Sequence, residues 1–384
     1  MREKQVLPVA VVGLTAALVA VVALWTLDRA GTSDRVAVTS DGPAQAIEWK
    51  LVTTWPKGLP GLGAAPENFA RRVNEASGGR LRIKVFGAGE IVPAFEVFDA
   101  VSQGVAEAGH GASYYWKGKI PASVFYTAVP FGMTAQEANG WLHYGGGLQL
   151  WHELYAPFGV VPFAGGSTGV QMAGWFNIRL NNREDLNGLK MRIPGLAGEV
   201  FDAAGGSAVR IAGGEVYTSM QTGVIDAVEW VGPYNDRTLG LMEVGDYYYY
   251  PGWHEPGAML EIIVNADALA ALPADLQAIV RVAARATNTD MLDDFTAHNS
   301  ESLQILLTDF DTEVLPLPDD IMDVLYESSQ VAIQSLVESD PMARKIAASY
   351  FDFAERVRTY HEISERAYLN DRDRLLPPVT LTAE

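Results

Sequence analysis

Four side chains of this sequence carry charge or strong polarity in company that excludes water. Arg192 stands in Lys190-Met191-Arg192-Ile193-Pro194, and Gln171 in Thr168-Gly169-Val170-Gln171-Met172-Ala173-Gly174-Trp175-Phe176. Glu229 stands in Asp226-Ala227-Val228-Glu229-Trp230, and Glu255 in Trp253-His254-Glu255-Pro256, just after the run Tyr247 to Tyr250. A charge inside an apolar strand is costly unless it is paired or meets a ligand of opposite sign. The two-pronged guanidinium of Arg192 suits a carboxylate. Two carboxylates and an amide oxygen suit a hard cation such as Na⁺ or Ca²⁺. Each residue also has an ordinary use: a structural ion pair for Arg192, an exposed strand position for Glu229, core packing for Trp253 and the tyrosines. Composition and spacing leave both uses open.

Enzyme machinery is absent from the motifs. The six histidines (His110, His143, His152, His254, His298 and His361) form no His-Glu-x-x-His pair. There is no Gly-x-Ser-x-Gly elbow, phosphate-loop lysine motif, calcium loop or dinucleotide glycine pattern. His110 and His254 read as hydrogen-bonded structural residues. A catalyst is therefore the less favoured class, its form being a metal-dependent hydrolase or lyase with Glu229 and Glu255 as ligands and His254 as base. The charge balance, 28 Lys+Arg against 47 Asp+Glu with a net of −19, argues against a nucleic-acid partner, which requires a basic surface. With no cysteine, disulfides and thiolate chemistry are excluded.

The elements that must hold these residues follow from hydrophobic periodicity. Ile47 to Val52 alternates as a strand, Glu67 to Ala76 is helical and ends at Gly78-Gly79, Leu81 to Phe86 is a second strand, and Phe95 to Gly104 a second helix. This alternation predicts an α/β fold with a parallel sheet. Strands are expected over Gly169 to Ile178, Lys190 to Pro194 and Ile225 to Val231, with helices over Ala197 to Ala204 and Val216 to Thr222. From Pro273 long helices take over: one to about Leu307, a break at Leu315-Pro316-Leu317-Pro318, then Asp319 to Ser339 and Pro341 to about Leu369.

The chain's start bears on compartment. Arg2 and Lys4 precede an uncharged run from Val6 to Leu27, long enough for a bilayer, which takes about 20 residues. Residues 1–28 read as an uncleaved membrane anchor ahead of a cleaved signal peptide, and 29–46 as a linker. Either reading puts the remainder outside the cytoplasm.

From residue 47 to about 370 the sequence resembles the extracytoplasmic solute-binding proteins of tripartite ATP-independent periplasmic (TRAP) transporters. The likeness rests on Trp49 to Pro56, Gly89-Glu90-Ile91-Val92-Pro93, Val101-Ser102-Gln103-Gly104, Gly188-Leu189-Lys190-Met191-Arg192 and Glu215 to Asp226. It implies a two-lobed periplasmic-binding-protein-like fold with hinge strands, a long helix spanning both lobes and a helical C-terminus. Lobe I would comprise 47–167 and 256–297, lobe II 168–255 and 298–340, with 341–384 a C-terminal helix and tail. Arg192 falls on the arginine that salt-bridges the substrate carboxylate. Trp230 replaces the Asn of the sialic-acid-binding branch and, with Gln171 and the segment ending at Pro256, resembles the branch that binds 2-oxo acids or lactate. In that branch a metal ion, Na⁺ or Ca²⁺, bridges protein and ligand. Its ligands here would be Gln171, Glu229, Glu255 and the Trp230 carbonyl, and Trp175, Trp230, Trp253 and Tyr114 or Tyr115 would wall the site. The function implied is capture of a small 2-oxo or 2-hydroxy carboxylate for a membrane permease, in the periplasm or outside the cytoplasm, with tethering to the inner membrane if the anchor stays. A module presenting the same ligand to a signalling protein is the other alternative. The final helices could pair two subunits.

Overall fold

The computed structural model describes residues 46–377. The anchor or signal over 1–28, nearly all of the linker and the last seven residues lie outside the described residues. Among the described residues no helix is long and apolar enough to cross a membrane.

Two sheets organise this part of the chain. The first contains β1 (Ile47–Thr53), β2 (Leu81–Phe86), β3 (Ala108–Gly111), β4 (Val160–Ser167) and β10 (Met259–Asn265), in the order β2-β1-β3-β10-β4. The second contains β5 (Gly174–Phe176), β6 (Lys190–Arg192), β7 (Ser207–Val209), β8 (Ala227–Val228), β9 (Tyr247–Tyr250) and β11 (Glu313–Pro316), in the order β11-β9-β5-β8-β6-β7.

The expected parallel sheet is corrected to two mixed ones. β1 runs parallel to β2 and β3, but β10 returns antiparallel between β3 and β4. β5 is antiparallel to both β8 and β9. The chain enters each of these strands from the other sheet rather than through a local strand–helix crossover, so the direction that a crossover would impose is lost. The segment 315–318 expected as a break instead contributes β11, parallel to β9 at the sheet edge, where a strand ending in Pro316 loses no ladder bond it needs.

The helix Ala274–Asp309 has 36 residues, a length of about 54 Å at 1.5 Å per residue. Its buried residues Leu276, Val280, Ala283, Ala284, Thr287, Asn288, Met291 and Phe295 recur at three- and four-residue steps, one stripe along one face. That face packs on β4 and the helix Ala64–Ala76 at one end and on the helix Pro233–Thr238 further on. It therefore bridges the elements of both sheets. Phe295 is fully buried against Tyr234, their ring centroids 5.9 Å apart, and leaves no room for a side chain at Gly61.

After Ser339 the chain turns at Asp340. The Asp340 carboxylate accepts from the backbone N–H of Met342 (2.7 Å) and Ala343 (2.9 Å), and Pro341 occupies the first helical turn, where its missing N–H is harmless. The stretch expected as one helix to about Leu369 is two, Pro341–Ile363 and Glu365–Leu375, separated at Ser364.

Candidate functional site

Arg192 ends β6, and its register partner Val228 ends β8, so the chain places Glu229 directly beside it. The backbone seals this pairing: the Glu229 N–H donates to the Arg192 carbonyl at 3.0 Å. Arg192 Nη1 donates to the Glu229 carbonyl (2.7 Å) and carboxylate Oε2 (3.0 Å), Nε to the Ile211 carbonyl (3.3 Å), and Nη2 to the Tyr115 hydroxyl (3.3 Å). The guanidinium carbon lies 4.9 Å from the centroid of the Trp230 ring, close enough for a cation–π contact. Arg192 and Glu229 are 1% and 0% exposed, so this charge pair is fully dry.

Gln171 and Glu255 meet by a different route. Gln171 lies before β5, not within a strand as expected, and Glu229 lies beyond the two-residue β8. Gly169 (φ +71°) and Gly174 (φ +125°) break the extended run that the sequence suggests. The Gln171 backbone pairs instead with the loop after β9. Its N–H donates to the Glu255 carbonyl (3.2 Å), and its carbonyl accepts from Gly252 (2.8 Å), where a Cβ would sit 2.3 Å from that same oxygen. The side-chain Nε2 then donates to Glu255 Oε2 (2.7 Å) and Thr168 Oγ1 (3.0 Å).

Three oxygens are left over. Gln171 Oε1, Glu229 Oε1 and Glu255 Oε1 are buried without a hydrogen-bond partner, as are both ring nitrogens of His254. Ligand atoms of Glu229, His254 and Glu255 lie within 4.8 Å of one another. Native structures satisfy nearly all buried polar atoms, so a group of orphans in one place marks a missing partner. An amide oxygen and two carboxylate oxygens are the donor set of a hard cation, and the residues fit one.

The electrostatics agree. Burial pushes the Glu229 carboxyl up to about 7 against the opposing pull of Arg192, and burial followed by the Glu229 charge pushes Glu255 up to about 7. Burial lowers His254 to about 4, so it brings no positive charge near neutral pH. One arginine cannot balance two carboxylates and an incoming acid. A divalent cation would balance them and a monovalent one would halve the excess, and either would favour the ionised form of both glutamates.

A small cavity lies beside these groups, its lining made of the polar Arg192, Gln171, Glu255 and Thr168, the aromatic Tyr114, Tyr115, Trp230 and Trp55, and the aliphatic Leu62, Val231 and Leu260. Of the aromatic residues marked in the sequence, Tyr114, Tyr115 and Trp230 therefore border the cavity. Trp253 does not: its ring packs 5.8 Å from Phe131 and 5.4 Å from His254, behind Glu255. Trp175 stacks on Tyr248 at 4.2 Å and donates to Asp236, also away from the cavity. Trp55, Leu62 and Leu260 were not marked as site residues. The available signal for Trp55 was its place just past the carboxyl end of a strand, where α/β folds gather ligands.

The profile of the family described as "Bacterial extracellular solute-binding protein, family 7" matches residues 51–340. A monocarboxylate 2-oxoacid-binding periplasmic protein of Nostoc sp. is 41% identical over 324 residues, 84% of this chain and 88% of that one. A TRAP periplasmic solute-binding protein of Pseudoalteromonas atlantica, solved with sodium and pyruvate, superposes with a TM-score of 0.83 at 40% identity, covering 85% of this chain and 99% of that one. A TRAP solute-binding protein of Bordetella bronchiseptica, a mixed-occupancy dimer with calcium and picolinate in one site, gives 0.83 at 36% identity over 85% and 97%. This chain belongs to family 7 of the bacterial extracellular solute-binding proteins, the extracytoplasmic receptors of TRAP transporters, which bind solutes and are not enzymes.

Proposed function

We propose that this receptor captures a small 2-oxo or 2-hydroxy monocarboxylate, with a Na⁺ or Ca²⁺ ion held by Gln171, Glu229, Glu255 and the Trp230 carbonyl and the carboxylate met by Arg192. The observation that carries the reading is the set of three buried, unpartnered oxygens beside a dry arginine. The ion would supply positive charge to the ligand's oxygens. Everything else falls to the chain: Arg192 orients the carboxylate, Tyr115 holds the guanidinium, and Trp230 and Trp55 exclude water, which strengthens each polar contact. Ca²⁺ would leave the sum of two glutamates, one arginine and one ligand carboxylate at zero. The relatives bound to pyruvate with sodium and to picolinate with calcium support this chemistry. No bond is broken, and the hydrolase reading with His254 as base is set aside with the family.

The lobes proposed from the sequence, 47–167 with 256–297 and 168–255 with 298–340, would close on the ligand, and a TRAP permease in the membrane would receive it. The final helices, 319–369, are proposed to pair two subunits, a reading that the dimeric Bordetella relative supports. Residues 1–28 are proposed to tether the receptor to the inner membrane.

The test is a thermal-shift screen of the purified protein against pyruvate, longer 2-oxo acids, lactate and dicarboxylates, each with Na⁺, Ca²⁺ or chelator. At 100 times its dissociation constant a ligand stabilises by about 2.7 kcal/mol, a shift of several degrees. The expected result is a shift confined to monocarboxylates with an oxygen at C2 and dependent on Na⁺ or Ca²⁺, chelator diminishing it where the ion is Ca²⁺. No shift with any of them, in folded protein free of carried-over ligand, overturns the reading.

A further inference from the structure

The apolar wall of the cavity is held by a hydrogen-bonded relay that reaches back into the first sheet. Trp55, 3% exposed, follows β1, and its indole N–H donates to His110 Nδ1 at 2.8 Å. An indole nitrogen only donates, so Nδ1 must be the bare nitrogen and the imidazole proton sits on Nε2. That nitrogen lies 3.2 Å from the Gly165 carbonyl, to which it donates. Burial keeps His110 neutral, with its pKa lowered to about 4, which preserves this tautomer.

Gly165 is free to accept for a structural reason. Along β4 and β10, Leu260 pairs with Gly166 and Glu261 with Ala164, so Gly165 is the extra residue of a β-bulge. A bulge takes one residue out of the ladder and re-aims its neighbours, a device common beside functional sites. Here it does two things at once: it gives the Gly165 carbonyl to His110, and it sets Leu260, which lines the cavity beside Trp55. No side chain could replace Gly165, since a Cβ would lie 2.6 Å from Ile262.

Trp55 in turn packs edge-on to Trp230 at 6.3 Å and against Tyr115 at 6.0 Å, the two aromatics that hold Arg192. The polar groups of the cavity claim a ligand's carboxylate and its C2 oxygen. The apolar lining formed by Trp55, Leu62, Val231 and Leu260, with the rings of Tyr114 and Trp230, then remains to meet its tail. We infer that His110 is a positioning residue whose relay from Gly165 to Trp55 fixes this wall and so sets the length of 2-oxo acid tail that the receptor accepts. This inference rests on the proposed ligand class.

The experiment compares dissociation constants for pyruvate and 4-methyl-2-oxopentanoate at saturating Ca²⁺, by calorimetry, in the wild-type protein and in His110→Leu, His110→Gln and Trp55→Phe. One methylene in an apolar pocket discriminates by about tenfold or more, so releasing the wall in His110→Leu should move the ratio by about tenfold in favour of the longer acid. His110→Gln, whose amide can accept from Trp55 and donate to Gly165, should restore most of the wild-type ratio. A purely structural role would lower the melting temperature and weaken both acids alike, and a ratio unchanged within about twofold overturns the inference. Should His110→Leu not fold, Trp55→Phe removes the donor together with part of the ring that forms the wall, and must shift the ratio in the same direction, an unchanged ratio again being decisive against the inference. Binding of neither these acids nor any other 2-oxo acid by the wild-type protein overturns the ligand class, and this inference with it; binding with an unmoved ratio overturns the relay alone.

Discussion

Arg192 is joined to Glu229 twice through a single nitrogen, Nη1 donating to its main-chain carbonyl at 2.7 Å and to its carboxylate at 3.0 Å. The first bond holds the guanidinium whatever the carboxylate does, so Glu229 can turn toward a cation without releasing Arg192. Nη2 then points to Tyr115 and the cavity.

Arg192→Lys should weaken carboxylate binding by about 1–3 kcal/mol, because an ammonium cannot serve the Glu229 carbonyl, the Glu229 carboxylate and a ligand with the same fixed fork. Calorimetric titration with pyruvate at saturating Ca²⁺ measures it. Unchanged affinity would remove Arg192 from the site.

Glu255→Gln tests the bridge between ion and ligand. The substitution preserves volume but replaces the orphaned Oε1, or its charge, with a neutral amide. Metal and ligand affinity should fall together, and the Ca²⁺-dependent rise in melting temperature should vanish. Retained pyruvate affinity with lost metal dependence would mean that the ion does not bridge.

Arg192 and Glu229 stood out as charges among apolar neighbours at short strands, but spacing alone left an ordinary ion pair and an exposed position open, and only the resemblance tied them to a site. Gln171 was legible as a residue type but not in its conformation. Gly169 and Gly174 break what reads as a strand, and the backbone partners that settle Gln171, Gly252 and Glu255, lie more than 80 positions away. Strand direction failed for the same reason: β10 reads as an apolar strand, yet its antiparallel neighbours are set by a chain that has meanwhile crossed the second sheet. Trp55 and Leu260 could not be told from core residues, since their side chains are core in every respect except that one face borders the cavity. The long helix was legible throughout, its stripe being local.

Glu261 makes a pH prediction away from the site. It is fully buried on β10, accepts from Trp116 Nε1 and from the Tyr155 hydroxyl (2.9 Å), and burial raises its carboxyl to about 8. A carboxyl raised above its unfolded value binds its proton more tightly when folded. Its contribution to stability is full below about pH 4.3 and is lost as pH rises through about 8. Glu261→Gln keeps one acceptor and one donor for the same neighbours, so urea titrations of the variant between pH 5 and 8.5 should show a flatter fall in stability than the wild type. Identical slopes would mean that Glu261 is ionised in the folded protein.

Gly195→Ala probes the contact between elements of the two sheets. Gly195 opens the helix Gly195–Ala203 after β6 with φ +72°, and a Cβ there would lie 2.4 Å from the ring of Tyr114, which follows β3 and lines the cavity. The Gly195 carbonyl also accepts from Lys117 Nζ at 2.9 Å, so both Tyr114 and Lys117 reach across at this point. Overpacking costs about 1–3 kcal/mol, and here it falls on the approach of Tyr114 to the site rather than on the interior of either sheet. Gly188 supplies the control, with φ +73° but nothing within 4 Å of a Cβ. Gly188→Ala should lower stability through backbone strain and leave pyruvate affinity alone, whereas Gly195→Ala should lower affinity by about tenfold, the equivalent of about 1.4 kcal/mol. If calorimetry finds the same affinity for both variants, the Gly195–Tyr114 contact plays no part in holding the ligand.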